Sequence, residues 1–93
     1  MARSTATRKW VDFELKAEPG AKVFIAGTFN DWDPTQVKMH DRNQDGTYRT
    51  SLLLPKGRHE YKFVVNGAWC ADPTCAEWSP NSYGTLNSVV TVG

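Results

Sequence analysis

The chain has 93 residues, of which 40% are hydrophobic and 23% charged; that is one small globular domain, able to bury a little over ~60% of the surface its unfolded form exposes. Formal net charge is +1, and Arg3, Arg8 and Lys9 supply +3 of it, so the rest of the chain carries −2. No apolar run reaches the ~18 residues of a membrane span, and no basic stripe offers the counterion release that drives binding to a polyanion, so neither membrane nor nucleic acid is expected as a partner.

Residues 1–9, Met-Ala-Arg-Ser-Thr-Ala-Thr-Arg-Lys, have charge but no apolar segment of signal-peptide type. They are expected to form a disordered tail on a single 10–93 module, and the compartment expected by default is the cytoplasm. Val11 to Lys16 alternates strictly between apolar and charged residues, which predicts a strand with one face on the core. Glu18-Pro19-Gly20 turns the chain. Val23 to Ala26 is apolar on both parities, as in a strand covered on both faces. The run stops at Gly27, taken as the point where the chain turns off the sheet, and Thr28 to Pro34 is a polar loop carrying Trp32.

Val37-Lys38-Met39 predicts a short strand. The segment Asp41-x-Asn43-x-Asp45-Gly46 has the first half of a calcium-loop pattern but lacks the closing bidentate Glu, since loop position twelve is Leu52. It is read as a polar turn. Tyr48, Thr50, Leu52 and Leu54 share one parity in the next strand, and His59, Tyr61, Phe63 and Val65 share one in the strand after, with Glu60, Lys62 and Val64 on the other side. Asn66-Gly67 is a type I′ hairpin signal, with Ala68-Trp69-Cys70 returning. Asp72-Pro73 opens an irregular segment to about Leu86, and Ser88 to Val92 closes the sheet. Short strands with turns between them, and no helical periodicity, predict an all-β antiparallel sandwich.

Chemistry-bearing clusters are few. His40 and His59 sit in different elements, and Cys70 and Cys75 are separated by four residues, too many for a short zinc or redox pair. No metal and no cofactor are expected. A local Cys70–Cys75 disulfide is sterically allowed; two free thiols are the alternative preferred for a cytoplasmic chain. No serine has a nucleophile-elbow context, and a sandwich this small has little depth for a water-excluding cleft, so no catalytic residue is expected.

The aromatics say more. Trp32 lies on a loop and Trp69 just past a hairpin tip, flanked by Asp31, Asp33, Asn66 and Gly67. Two readings stay open on these grounds: lids over the sheet ends, or displayed platforms. A platform with neutral polar neighbours suits a sugar, whose ring faces are C–H and whose edge is hydroxyl. Lys62, between core residues Tyr61 and Phe63, leaves the sheet on the opposite face and could supply an edge contact.

The ordered blocks Gly27-Thr-Phe-Asn-Asp-Trp32, Asp45-Gly46-x-Tyr48, Leu52-x-Leu-Pro55-x-Gly57-x-His59-Glu-Tyr-Lys62-Phe, Asn66-Gly67-x-Trp69, Asp72-Pro73 and Tyr83-Gly-Thr85-x-Asn87 resemble carbohydrate-binding module family 48, the glycogen-binding type found on β subunits of AMP-activated protein kinase and at isoamylase N-termini. The resemblance runs from about Val11 to Val92. It implies an early-set immunoglobulin-like sandwich, without catalytic activity, that binds α-1,4-glucans. By the same resemblance, Trp32 and Trp69 stack on glucose rings, and Lys62, Thr85 and Asn87 make the polar contacts. Tyr83 stands where that family usually has a Leu that inserts into the curved glucan, and is expected as a third stacking surface. The alternative function is a regulatory, protein-interaction sandwich that docks on a glucan-metabolising enzyme or kinase, with weak or no sugar binding.

Overall fold

A computed structural model describes residues 8–93. It contains eight strands: β1 (Arg8–Lys16), β2 (Val23–Gly27), β3 (Val37–Lys38), β4 (Thr47–Pro55), β5 (Gly57–Val65), β6 (Ala68–Cys70), β7 (Glu77–Pro80) and β8 (Leu86–Val92), with one 3-10 turn at Thr28–Asn30. Every pairing is antiparallel. β1 and β4 form a two-stranded sheet, and the other strands form a second sheet in the order β3-β2-β5-β8-β7, with β6 added to β5. The chain is thus an all-β sandwich, with β5 at its centre. β2 runs along one edge of β5, while β8 takes the first half of the other edge and β6 the second half.

The core follows from the alternation in the strands. Phe13 and Leu15 of β1, with Tyr48 and Leu54 of β4, meet Val23, Ile25, Tyr61, Phe63 and Val92 of the larger sheet. Tyr61 packs edge-on against Phe13 (ring centroids 4.9 Å apart) and against Phe63 (5.7 Å), the arrangement favoured by aromatic quadrupoles. Ile25 and Phe63 are fully buried, and side chains of that size each contribute ~1.5–3 kcal/mol of transfer free energy.

The structure departs from the sequence expectations at three places. β1 begins at Arg8, so Arg8 and Lys9 belong to a strand rather than to the expected tail. The long partner β4 explains this, since it carries pairing out to Pro55 opposite Arg8, and Lys9 Nζ donates to the Gly93 carbonyl at 2.7 Å. The expectation for residues 1–7 lies outside the described residues. Within the stretch read as irregular, β7 pairs with β8. It is an edge strand, and solvent on its free side removes the apolar alternation that would have marked it. Finally, β2 ends at Gly27, but that residue has extended backbone (φ −169°); the chain leaves the sheet in the 3-10 turn Thr28–Asn30, and left-handed backbone comes at Asp31 and Trp32. What requires glycine at 27 is space: a Cβ there would overlap the Glu60 carbonyl oxygen and sit 2.7 Å from the Phe29 ring.

The hairpin after β5 has positive φ at both Asn66 and Gly67 (49° and 86°), as a type I′ turn requires. Asp41 caps its own turn, its carboxylate accepting from the backbone N–H groups of Asp45 and Gly46. His59 is half-buried, and its Nε2–H donates to the Pro55 carbonyl at 2.8 Å. Both cysteines are free thiols. Burial pushes the Cys70 thiol above its usual range, Lys62 opposing and Asp72 reinforcing the shift.

Candidate functional site

Tyr61 and Phe63 point into the core, so Lys62 leaves β5 on the outer face of the larger sheet. Trp69 pairs with Val64 and therefore shares that face. Thr85 and Asn87 arrive from the β7–β8 turn and the start of β8, in phase with Val89, which lies opposite Glu60. The six side chains singled out in the sequence, Trp32, Lys62, Trp69, Tyr83, Thr85 and Asn87, line a single open groove of about 850 Å³. Asn81 and Ser82 complete its lining.

Trp32 reaches the groove through an unusual backbone. Asp31 and Trp32 both have left-handed φ (55° and 58°), a region in which a bulky side chain is a true outlier. The loop is over-determined by hydrogen bonds that hold it there. Asn30 Oδ1 accepts from the Gly27 N–H at 2.9 Å, and its Nδ2 donates to the carbonyls of Ile25 and Asp33. Trp32 N–H closes back on the Gly27 carbonyl at 2.9 Å. Asp33 is capped from Thr35, whose hydroxyl and backbone N–H hold that carboxyl below the usual range. Trp32 is half-buried, whereas Trp69 is 45% exposed and Tyr83, at the tip of its turn, 89%.

The far wall is polar. Lys62 Nζ donates to Thr85 Oγ1 at 2.9 Å, and Asn87 Nδ2 donates to Glu60 Oε1 at 3.0 Å. Arg58 in turn holds the other Glu60 oxygen at 3.1 Å. The residue that sequence reasoning missed is Asn81. It accepts from the Tyr83 and Thr85 backbone N–H groups and donates to both Thr85 and Asn87. Asn81-x-x-Gly84 was a legible sign of an Asx turn, with Gly84 taking positive φ (80°), but a turn signature does not reveal side chains four and six residues ahead.

Trp78 and Trp10 do not line the groove. Trp78 lies on the edge strand opposite Ser88, and Trp10 is 69% exposed on the outside of the β1–β4 sheet, opposite Leu53. Of the four Trp residues, then, only Trp32 and Trp69 share a concave surface with hydrogen-bonding groups.

The family model for the glycogen recognition site of AMP-activated protein kinase matches residues 11–93. The chain belongs to this family. Among the proteins it is similar to, the mouse 5'-AMP-activated protein kinase subunit beta-2 is 37% identical over 76 residues, covering 82% of this chain and 27% of that protein. The pig beta-1 subunit is 33% identical over 73 residues, covering 78% of this chain and 56% of the pig sequence. Protein FLOURY ENDOSPERM 6, chloroplastic, from rice is 36% identical over 76 residues, covering 82% of this chain and 14% of that protein. The chain therefore spans about a quarter of the beta-2 relative's length.

Proposed function

We propose that this glycogen-recognition module binds α-1,4-linked glucans without acting on them chemically, holding glycogen, starch or maltooligosaccharide in the groove. Trp32 and Trp69 stack on glucose faces, Tyr83 adds a third apolar surface, and Lys62, Thr85 and Asn87 bind hydroxyls at the ring edge. One observation carries the reading. Two indoles held apart on different elements share an open groove with neutral amide and hydroxyl groups, a combination matched to a ligand with apolar faces and a polar rim. Among the described residues no carboxylate lines the groove, whereas hydrolysis of a glycosidic bond ordinarily uses two.

The groove is open rather than enclosed, so affinity is modest. A few stacking contacts and hydrogen bonds of ~0.5–1.5 kcal/mol net each offset the ordering of a flexible chain. The balance is about −4 to −6 kcal/mol, roughly tens of micromolar to millimolar. Trp32→Ala and Trp69→Ala are each expected to weaken maltoheptaose binding at least tenfold in titration calorimetry and to abolish retention on glycogen, with the thermal transition preserved. Parent-like binding by both variants overturns the platform roles.

A second reading is a regulatory sandwich that docks on a glucan-metabolising enzyme or kinase, with weak or no sugar binding. It draws on the relatives that are named as kinase subunits. Native-gel mobility with and without amylopectin separates the two, since retardation by the polysaccharide alone requires no partner protein. A cytoplasmic setting belongs to the same proposal. The rice relative is designated chloroplastic, and fractionation of the host cell decides between the two compartments.

A further inference from the structure

The polar wall of the groove has a fixed direction of hydrogen bonding, which can be traced from one residue. Asn81 Oδ1 accepts from the backbone N–H of Tyr83 at 2.9 Å and of Thr85 at 3.1 Å. Backbone amides only donate, so the Asn81 side-chain amide has a single consistent orientation. Its Nδ2 is left to donate, to Thr85 Oγ1 at 2.7 Å and to Asn87 Oδ1 at 2.9 Å. That orients Asn87 in turn: its Oδ1 accepts from Asn81 and keeps a second acceptor position, and its Nδ2 donates to Glu60 Oε1 at 3.0 Å. Glu60 is an acceptor in any case, with its second oxygen held by Arg58, so the relay is self-consistent from the turn backbone to the guanidinium.

Thr85 is the other branch. Its Oγ1 accepts from Asn81 Nδ2 and also from Lys62 Nζ at 2.9 Å. A hydroxyl has two acceptor positions and one proton. With both acceptor positions filled, Thr85 has only its proton to offer a ligand. Asn87 keeps one free N–H, and the Lys62 ammonium keeps two. At Thr85, whose hydroxyl both Asn81 and Lys62 address, the one polar contact left over is a donor.

We infer that Asn81 is a positioning residue that makes the Thr85 hydroxyl in the polar wall donor-only, so that a glucan is recognised at Thr85 through an oxygen atom that accepts a hydrogen bond. The inference rests on the glucan reading of the groove. At Thr85 the contacted sugar oxygen supplies a lone pair, and its own proton turns to water or to a neighbouring hydroxyl within the chain. Asn81 does this by donating to Thr85 Oγ1, while it also fixes the orientation of Asn87.

The test separates the two halves of the Asn81 amide. N81D retains an oxygen for the Tyr83 and Thr85 backbone N–H groups but has nothing to donate to Thr85 and Asn87, whereas N81A loses both functions. Maltoheptaose titration calorimetry and thermal denaturation of the parent and both variants give the readouts. N81A is expected to lose stability and affinity together. N81D is expected to keep a parent-like transition and to bind at least tenfold more weakly. A purely structural role for Asn81 predicts instead that N81D binds within twofold of the parent, and that result overturns the inference. Should N81D fail to fold, the pair Thr85→Ser and Thr85→Val decides. The serine variant keeps the donated proton and is expected within about threefold of the parent, and the valine variant at least tenfold weaker; equal binding by the two overturns the inference. If the parent itself does not bind maltoheptaose, the glucan reading fails and takes this inference with it, an outcome distinct from parent binding that N81D leaves unchanged.

Discussion

Trp32 occupies a backbone region that costs on the order of 1–3 kcal/mol for such a residue, and it follows another left-handed position at Asp31. The Asn30 side chain offsets this strain by tying Gly27, Ile25 and Asp33 together across the base of the loop. The indole is thereby held in place before any ligand arrives, which spares the ordering cost that a mobile loop side chain adds to association. Gly27 is the fixed point on which this loop rests. Its missing Cβ lets the β2 backbone lie against the Glu60 carbonyl and the Phe29 ring, and the obstructing oxygen belongs to a central strand that cannot step aside. Gly27→Ala is therefore expected to destabilise the fold by about 1–3 kcal/mol, the usual cost of overpacking, and to lower the midpoint of urea denaturation. An unchanged midpoint would show that β2 and β5 can separate at no cost.

At the scale of elements, the strands with one buried face were legible because burial imposes a period of two. Phe13 and Leu15, and Tyr61 and Phe63, all emerged on the core side. Lys62 could be assigned to the outer face by the same alternation. β7 could not be read, because an edge strand bearing Glu77, Trp78, Ser79 and Pro80 has no face that must be uniformly apolar. The Asn81 network was illegible for a different reason: its bonds join side chains across a turn and a strand, and no local pattern encodes such convergence. The Asp72 segment illustrates the same limit. Tyr61 reads as a core residue in sequence, yet its hydroxyl donates to the buried Asp72 carboxylate at 2.7 Å, and the Asp72 N–H donates to Ser88 Oγ at 2.6 Å. This pins the start of the loop between β6 and β7 to the central strands.

Burial, together with the hydrogen bond to Asp72 and its charge, pushes the Tyr61 phenol well above its ordinary value near 10. The folded state thus holds that proton more firmly than the unfolded state does. The resulting stability is fully present below about pH 10 and is lost progressively as pH rises beyond it. Tyr61→Phe is expected to cost about 1–3 kcal/mol at pH 7, because an oxygen of buried Asp72 loses its donor. Since the Phe variant lacks the titrating group, the gap between it and the parent should narrow in urea denaturation at pH 10.5. A gap that stays constant or widens would contradict this account of Tyr61.

The whole molecule divides its tasks between two surfaces of one sheet. The inner face of the larger sheet makes the core with β1 and β4, and the outer face bears the groove, so a change in the binding residues need not disturb the packing beneath. With Lys62 the only formally charged residue lining that groove among the described residues, and a neutral sugar as ligand, affinity should vary little with ionic strength. The four tryptophans also supply an internal control, because two line the groove and two lie elsewhere. Titration of the isotopically labelled protein with maltoheptaose, followed through the indole N–H signals, is therefore the most direct test that this groove binds α-glucan. The signals of Trp32 and Trp69 are predicted to move together with a single dissociation constant, while those of Trp10 and Trp78 stay in place. Stationary Trp32 and Trp69 signals at millimolar maltoheptaose, or movement confined to Trp10 and Trp78, would contradict it.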